Sequence, residues 1–276
     1  MQLFKLFARI GLIGSICLVC FSNAQAESDE IYIGAASDKI WPDLKESYFS
    51  GKSIEDSPVV KIEGPRRAES GAQVPVTVTI GNKLTDGNAI RKVYLFVDAN
   101  PIPMVAIYNF TPLSGKAQIS TRIRMETDSY VRVIGEAPDG KFYMSSIIIR
   151  ASGGCAGPPA GGDPNALRLA AGKIKMNVET PAKYGEANSA TFMLKHPQLT
   201  GLQRDLASGG YIPAFFVNKV VFTYNGKLVM EADTTIAMAE DPYLRFYYVP
   251  DGPGTLDVTV NDNDGNTYTH KVDIKS

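Results

Sequence analysis

The chain has 276 residues, a formal net charge of −1, and hydrophobic residues at 44% of its positions. This length suffices for one large domain or for two ordinary domains, each with its own core. Acidic and basic residues are nearly balanced and form no basic stripe. The composition therefore argues against nucleic acid and anionic membrane surfaces as partners.

The first residues have the features of an export signal. Lys5 and Arg9 form a positive segment, Ile10–Phe21 is an apolar run, and Ala24–Ala26 supplies small residues for cleavage. The run is shorter than the roughly 20 residues that a helix needs to cross a bilayer. The sequence thus predicts a signal peptide at residues 1–26, a periplasmic location, and no membrane association after cleavage.

A short helix is predicted from Asp38 to Gly51, ahead of the first strands. Pro42 suits the first turn of a helix, and Gly51 suits its end. Trp41 and Tyr48 recur at helical spacing. We expect these aromatic side chains to pack the helix against the adjoining domain.

From Val59 to Arg150 the chain consists of short segments in which apolar residues alternate with polar ones, the pattern of half-buried strands. The clearest segments are Val74–Ile80, Val93–Val97, Ile119–Met125, Val131–Val133 and Phe142–Ile149. Turn signals such as Pro138-Asp139-Gly140 separate them. About seven short strands at this spacing indicate an immunoglobulin-like sandwich, assigned to residues 27–150.

Residues 151–172 differ in composition, being rich in glycine, proline and alanine. They contain little to bury apart from Cys155 and a possible helical turn near Asn165 to Ala171. We assign this segment as a flexible linker between two domains. As a random coil its flexible part would span about 25 Å, enough to bring a thiol into the cleft of a partner.

A second β-rich region follows in residues 173–276. Alternating segments occur at Ile174–Val178, Val220–Tyr224, Leu244–Tyr248 and Leu256–Val260. Asn225-Gly226, placed between two apolar runs, is a strong hairpin signal, and Asp264-Gly265 is another turn. The predicted fold class is therefore all-β, with two immunoglobulin-like sandwiches, a linker and a short N-terminal helix.

Cysteine usage points to one reactive position. The chain has three cysteines, and Cys17 and Cys20 fall within the predicted signal peptide. Cys155 would then be the lone thiol of an exported protein, which marks it as a reactive or intermolecular thiol. Its setting, Ser152-Gly153-Gly154-Cys155-Ala156-Gly157, suggests that nothing bulky shields the sulfur and that Gly153, Gly154 and Gly157 give the segment flexibility. The alternative is that Cys155 has no function and lies in the linker by chance.

Little in the sequence indicates an enzyme. The only histidines, His196 and His270, lie far apart, so with one cysteine they do not make a convincing zinc or copper site. A nucleophile elbow, a P-loop and a dinucleotide fingerprint are all missing. We predict no catalytic residue, no metal site and no cofactor.

The first half resembles SoxY, the sulfur-carrying subunit of the periplasmic thiosulfate-oxidising system. The resemblance runs through Gln73–Val78, Asn100–Pro103, Ser120–Met125 and Gly140–Met144, and ends at Gly153-Gly154-Cys155. The second half is similar to SoxZ, the partner subunit, at His196-Pro197, Thr200–Leu202, Ile212-Pro213, Asn225–Lys227 and Asp241–Leu244. In the SoxY family the cysteine lies at a free C-terminus, whereas here Cys155 is tethered on both sides.

The resemblance implies a fused SoxYZ-like carrier that loads a sulfur intermediate on Cys155 and presents it to periplasmic sulfur-oxidising enzymes. The single-chain arrangement is similar to SoxYZ-like carriers associated with quinoprotein dehydrogenases. An alternative is therefore a binding or assembly protein for a periplasmic quinoprotein dehydrogenase that uses pyrroloquinoline quinone. In that case Cys155 would be incidental or regulatory.

Overall fold

The computed structural model describes residues 39–159, 162–205 and 208–275. The predicted signal peptide, residues 1–26, lies outside these ranges, as do Asp38 at the start of the predicted helix and residues 160–161 of the predicted linker. Among the described residues, no helix has both the length and the apolar character needed to cross a membrane.

The described residues of the first half, from Lys39 onward, form one helix and eight strands. Helix α1 spans Trp41–Phe49, within the predicted range, with Pro42 in its first turn. The strands are β1 Ile54–Asp56, β2 Val60–Glu63, β3 Val74–Ile80, β4 Lys92–Val97, β5 Met104–Phe110, β6 Gln118–Ile123, β7 Ser129–Glu136 and β8 Phe142–Ile149. A single 3-10 turn, Pro112–Ser114, lies between β5 and β6.

The second half begins with the short helix α2, Pro164–Leu169, where the sequence suggested a helical turn. Its strands are β9 Ile174–Val178, β10 Asn188–Leu194, β11 Val217–Tyr224, β12 Lys227–Thr234, β13 Tyr243–Tyr248, β14 Gly254–Asp262 and β15 Thr267–Ile274. The predicted hairpin at Asn225-Gly226 joins β11 to β12, and both residues have the positive φ angles that such a tight turn needs.

Two sheets contain these strands. One is nine-stranded, in the order β1-β8-β7-β4-β5-β12-β11-β14-β15, and the other is six-stranded, in the order β2-β3-β6-β13-β10-β9. In each sheet the strands of the first half occupy one side and those of the second half the other. The structure is thus two immunoglobulin-like sandwiches lying edge to edge, which confirms the predicted fold class.

Both sheets continue across the meeting of the two halves. Strand β12 pairs with β5 in antiparallel register, with Ala232 opposite Tyr108. In the other sheet β13 pairs with β6, with Leu244 opposite Thr121. Most of the buried apolar side chains form one cluster that includes strands of both halves. The domain bounds 27–150 and 173–276 stay predictions, but strands of both segments share sheets and core.

Alternation along the strands explains which faces are buried. In β3 every second residue is buried, and its neighbours are exposed or half-buried. Helix α1 covers the outer face of the larger sheet, where Phe49 packs against Phe96 and Phe142. Trp41 and Tyr48 contact the Phe96 ring edge-on, as expected for packing of this helix.

Candidate functional site

Cys155 lies where the two halves meet, on the segment that follows β8. The amide of Gly153 donates to the carbonyl oxygen of Glu126 at 2.9 Å, and the amide of Gly154 donates to that of Met125 at 3.0 Å. These bonds hold the segment against the chain just after β6. Among the described residues Cys155 is the only cysteine, and it forms no disulfide.

The Glu126 carboxylate anchors the backbone around the cysteine. Its Oε2 accepts hydrogen bonds from the amides of Cys155, at 2.7 Å, and Ala156, at 3.2 Å. Glu126 is itself oriented by Asn100, whose side-chain oxygen accepts from the Glu126 amide at 2.9 Å. Two amides that would otherwise require water are thereby satisfied by a charged acceptor, which makes these bonds stronger than neutral ones.

The second half of the chain binds the same segment from the other side. The Thr200 hydroxyl donates to the carbonyl oxygen of Cys155 at 2.8 Å, and the Gln203 side-chain amide donates to that of Gly157 at 3.1 Å. Thr200 belongs to the stretch on which the resemblance to SoxZ rests. The SoxZ-like half therefore contacts the cysteine segment of the SoxY-like half directly.

Arg124, which follows β6, brings a positive charge to the segment. Its Nη1 donates to the carbonyl oxygen of Gly154 at 2.9 Å, and its Nη2 donates to that of Gln198 at 3.2 Å. The side chain is buried, with only 4% of its surface exposed. The guanidinium thus lies at the peptide bond that leads into Cys155.

The glycines before the cysteine have distinct roles in this position. Gly153 has φ +71°, a left-handed conformation that favours glycine, and its Cβ position is open. A Cβ on Gly154 would collide with the backbone of Gly71 and Met125. Close approach of two backbones therefore requires glycine at 154. The predicted flexibility of Gly153, Gly154 and Gly157 stays a prediction.

The expectation that nothing bulky shields the sulfur is wrong for this structure, because Cys155 is only 2% exposed. Small residues allow the segment to lie tightly against the protein, and side chains from both halves then cover it. Its neighbour Ala156 is exposed. The thiol therefore lies one residue away from the surface.

The surroundings favour the neutral thiol. Burial, followed by the negative charge of Glu126, raises the pKa of the Cys155 thiol to about 11, and Arg124 offsets only part of this effect. At neutral pH the buried sulfur is therefore protonated and a poor nucleophile. This arrangement protects the thiol rather than activating it.

The two histidines are not brought together at this site. His196 is buried, its ring lies 4.3 Å from that of Phe215, and burial lowers its pKa to about 4. His270 is on β15. Within the described part of the chain, no three His, Cys, Asp or Glu side chains are arranged to hold a metal ion.

Comparison with known proteins follows the division of the chain. Residues 45–155 match the family model described as sulfur oxidation protein SoxY, and residues 174–273 match that described as sulphur oxidation protein SoxZ. The first match ends at Cys155 itself. Among curated proteins, none matches the chain significantly.

Solved structures resemble parts of the chain. The sulfur carrier protein SoxY from Chlorobium limicola f. thiosulfatophilum is 28% identical, covers 44% of this chain over 99% of its own length, and has a TM-score of 0.36. A variant of the superoxide reductase (neelaredoxin) from Ignicoccus hospitalis is 18% identical, covers 40% of this chain over 92% of its own, and has a TM-score of 0.30. At these TM-scores neither likeness carries a functional conclusion.

Two kinds of sulfur oxidation protein therefore account for most of the chain, one after the other. It belongs to the SoxY and SoxZ families as a fused SoxYZ-like protein. This confirms the resemblance that the sequence motifs indicated for each half.

The sequence analysis did not identify Arg124, Glu126 or Gln203 as neighbours of the cysteine. Arg124 and Glu126 lie about thirty positions before Cys155, as the hydrogen bonds show. Arg124 lies within the resemblance motif Ser120–Met125 and Glu126 directly follows it, which is the one signal that could have suggested these two residues. Contacts of this kind follow from the pairing of strands and not from local pattern.

Proposed function

We propose that the protein carries a sulfur intermediate covalently on the Cys155 thiol and presents it to partner enzymes of sulfur oxidation in the periplasm. The observation that carries the proposal is the placement of Cys155 at the end of the SoxY match, on a segment held by hydrogen bonds that both halves supply. The carrier has no catalytic residue of its own. Partner enzymes perform the chemistry.

The cysteine segment would work in two positions. In the docked position the sulfur is covered and protonated, so it is protected from adventitious oxidation. For loading, the segment leaves its position, and the exposed thiol regains an ordinary pKa. The bonds to Glu126, Thr200 and Gln203 all involve backbone groups of residues 155–157. The amides of Cys155 and Ala156 donate to Glu126, and the carbonyl oxygens of Cys155 and Gly157 accept from Thr200 and Gln203. The sulfur itself therefore takes no part in these bonds.

One loading reaction needs no external oxidant. The Cys155 thiolate attacks the outer sulfur of thiosulfate, the S–S bond of thiosulfate breaks, and sulfite leaves with the electron pair. A new S–S bond forms, and the product is a persulfide on Cys155. The thiol proton goes to solvent before the attack, which requires the undocked segment, because docking disfavours the thiolate.

The test is the intact mass of the protein recovered from the periplasm, with and without reductant, beside Cys155→Ser. We expect additions in sulfur-sized steps that reductant removes and that the variant lacks. Circular dichroism of Cys155→Ser should match that of the parent protein, so that loss of cargo is not loss of fold. A bare thiol under conditions that induce the protein would contradict the carrier and favour the assembly role for a quinoprotein dehydrogenase.

Export has a separate test. Cell fractionation should place the protein in the periplasm, and N-terminal sequencing of that material should begin at Glu27. Cytoplasmic protein that retains Met1 would contradict the proposed location.

A further inference from the structure

The charge of Arg124 has no ionic partner in the described part of the chain. Both of its hydrogen bonds go to neutral carbonyl oxygens, of Gly154 and Gln198, and its Nε has no partner there. The other buried arginine, Arg132, instead pairs with the buried Asp98 carboxylate at 2.7 Å. Arg124 is thus a buried cation with unused donor capacity.

A buried charge is unfavourable unless an opposite charge or sufficient hydrogen bonds compensate it. Burial accordingly lowers the pKa of Arg124, although Cys155 and Glu240 favour its charged form. The unloaded thiol is neutral at physiological pH and supplies no anion. The Glu126 carboxylate is bonded elsewhere, since its Oε2 accepts the amides of Cys155 and Ala156.

We infer that Arg124 binds the anionic group of a sulfur cargo attached to Cys155 and so stabilises the docked position of the loaded segment. This inference rests on the proposed function. The bond to the Gly154 carbonyl places the guanidinium at the peptide bond before the cysteine. A persulfide or an S-sulfonate carries its negative charge beyond the Cys155 sulfur, and an arginine fork suits such groups.

Arg124 and Glu126 should have opposite effects on the binding of an anionic cargo. Arg124 attracts an anionic cargo, whereas Glu126 repels it and, with Glu240, limits the net positive charge around the sulfur. A neutral adduct of similar size on the sulfur would be neither attracted by Arg124 nor repelled by Glu126. The contrast between an anionic and a neutral adduct therefore isolates the role of Arg124 from that of packing.

The test uses the full chain loaded chemically at Cys155. Disulfide exchange with dithiobis(nitrobenzoate) first gives a mixed disulfide on Cys155 and releases one thionitrobenzoate. Sulfite then displaces the second thionitrobenzoate and leaves the anionic S-sulfonate on Cys155. Methyl methanethiolsulfonate gives the neutral S-methylthio adduct, with release of methanesulfinate. Mass spectrometry then follows removal of each adduct by dithiothreitol, and the rate in folded protein is divided by that in urea-unfolded protein.

In the parent protein the S-sulfonate should be better protected than the S-methylthio adduct. Arg124→Gln should reduce protection of the S-sulfonate about tenfold and change that of the neutral adduct much less, since a charged hydrogen bond is lost only with the anion. Arg124→Lys should retain part of the effect. Arg122→Gln is the matched control, because it also removes one positive charge, two positions earlier in β6, from a side chain that lies over the Tyr243 ring.

An equal effect of Arg124→Gln on both adducts would overturn the inference and leave Arg124 as a structural tie between Gly154 and Gln198. No effect on either adduct would overturn it as well. If the variant fails to fold, the parent protein still tests the inference. An S-sulfonate that is no better protected there than the neutral adduct would overturn the inference. Because the adducts are installed chemically, none of these results depends on whether cells load Cys155.

Discussion

At the scale of single residues, the protonation of Cys155 should control whether its segment is docked. The pKa of the docked thiol is raised from 9.0 to about 11. The contribution of the protonated thiol to docking is therefore fully present below pH 9 and is lost as the pH rises through 11. At a given pH below 9, the docked state has a thiolate fraction about 100-fold lower than the unfolded chain.

We expect iodoacetamide to alkylate the folded protein at pH 8 about 100-fold more slowly than the urea-unfolded protein, with a steep increase between pH 9 and 11. Glu126→Gln should accelerate the reaction, because it removes a charge that raises the pKa and weakens two backbone hydrogen bonds. Glu63→Gln, a change on the exposed face of β2, should react like the parent protein. Equal rates for folded and unfolded parent protein would refute this account.

His196 produces a second pH dependence, in the stability of the fold. Burial lowers the pKa of His196 from 6.5 to about 4, so the unfolded chain binds a proton more readily than the folded chain. Stability is complete above pH 6.5 and falls as the pH drops from 6.5 through 4, by about 3 kcal/mol in total. The lowered pKa of Asp262 affects stability only below its ordinary value of 3.8.

Urea titrations at several pH values between 7 and 4 measure this dependence. His196→Gln should be less stable than the parent protein at pH 7 but should lose less stability on acidification. His270→Gln is the matched control and should keep the parent slope. A slope that survives in His196→Gln would assign the pH dependence to other groups.

At the scale of elements, the cysteine segment separates two roles that glycine can have. If Gly153 and Gly154 serve only as flexible joints, alanine at either position should have a similar effect. The structure makes them unequal, because a Cβ is free of contacts at 153 and collides with Gly71 and Met125 at 154. Alanine at 153 has only the cost of its left-handed conformation, about 1 kcal/mol.

Gly154→Ala should therefore expose the thiol, because the segment cannot keep its close contact with the backbone of Gly71 and Met125. We expect its alkylation rate in folded protein to increase roughly tenfold or more. Gly153→Ala should increase that rate only about fivefold. Both rates are measured at pH 8 with iodoacetamide and mass detection. Equal acceleration by the two substitutions would show that flexibility and not close packing governs access.

At the scale of the whole molecule, the two halves should unfold as one unit. Strand β5 pairs with β12, β6 pairs with β13, and the apolar core is continuous across both halves. Separation would expose two long strand edges and part of the core at once, which is unfavourable. Folding of the halves should therefore be cooperative.

Trp41, the single tryptophan, reports on the first half, whereas far-ultraviolet circular dichroism reports on the strands of both halves. In urea the two signals should change together, with the same midpoint and slope. Two separate transitions, with Trp41 fluorescence following only one of them, would show that the halves fold independently.

Most strands could be predicted from local pattern. Apolar and polar residues alternate along a strand with one buried face, whichever strands pair with it. Val74–Ile80, Phe142–Ile149 and Ile174–Val178 are observed at the predicted bounds. Strand β5 received no assignment from the sequence. Val105 and Ala106 are both buried within it, which interrupts the alternation, because β5 is a central strand between β4 and β12.

The sequence by itself determined the all-β class, the two sandwiches, the SoxY and SoxZ character of the halves, and the choice of Cys155. Each of these depends on local periodicity, turn residues or short motifs, which neighbouring residues encode together. The tertiary structure alone decided that the sandwiches share both sheets, that Cys155 is buried, and that Arg124, Glu126 and Thr200 surround it. Those features depend on strand pairing between distant segments, and the resulting burial and charge set the pKa of the thiol.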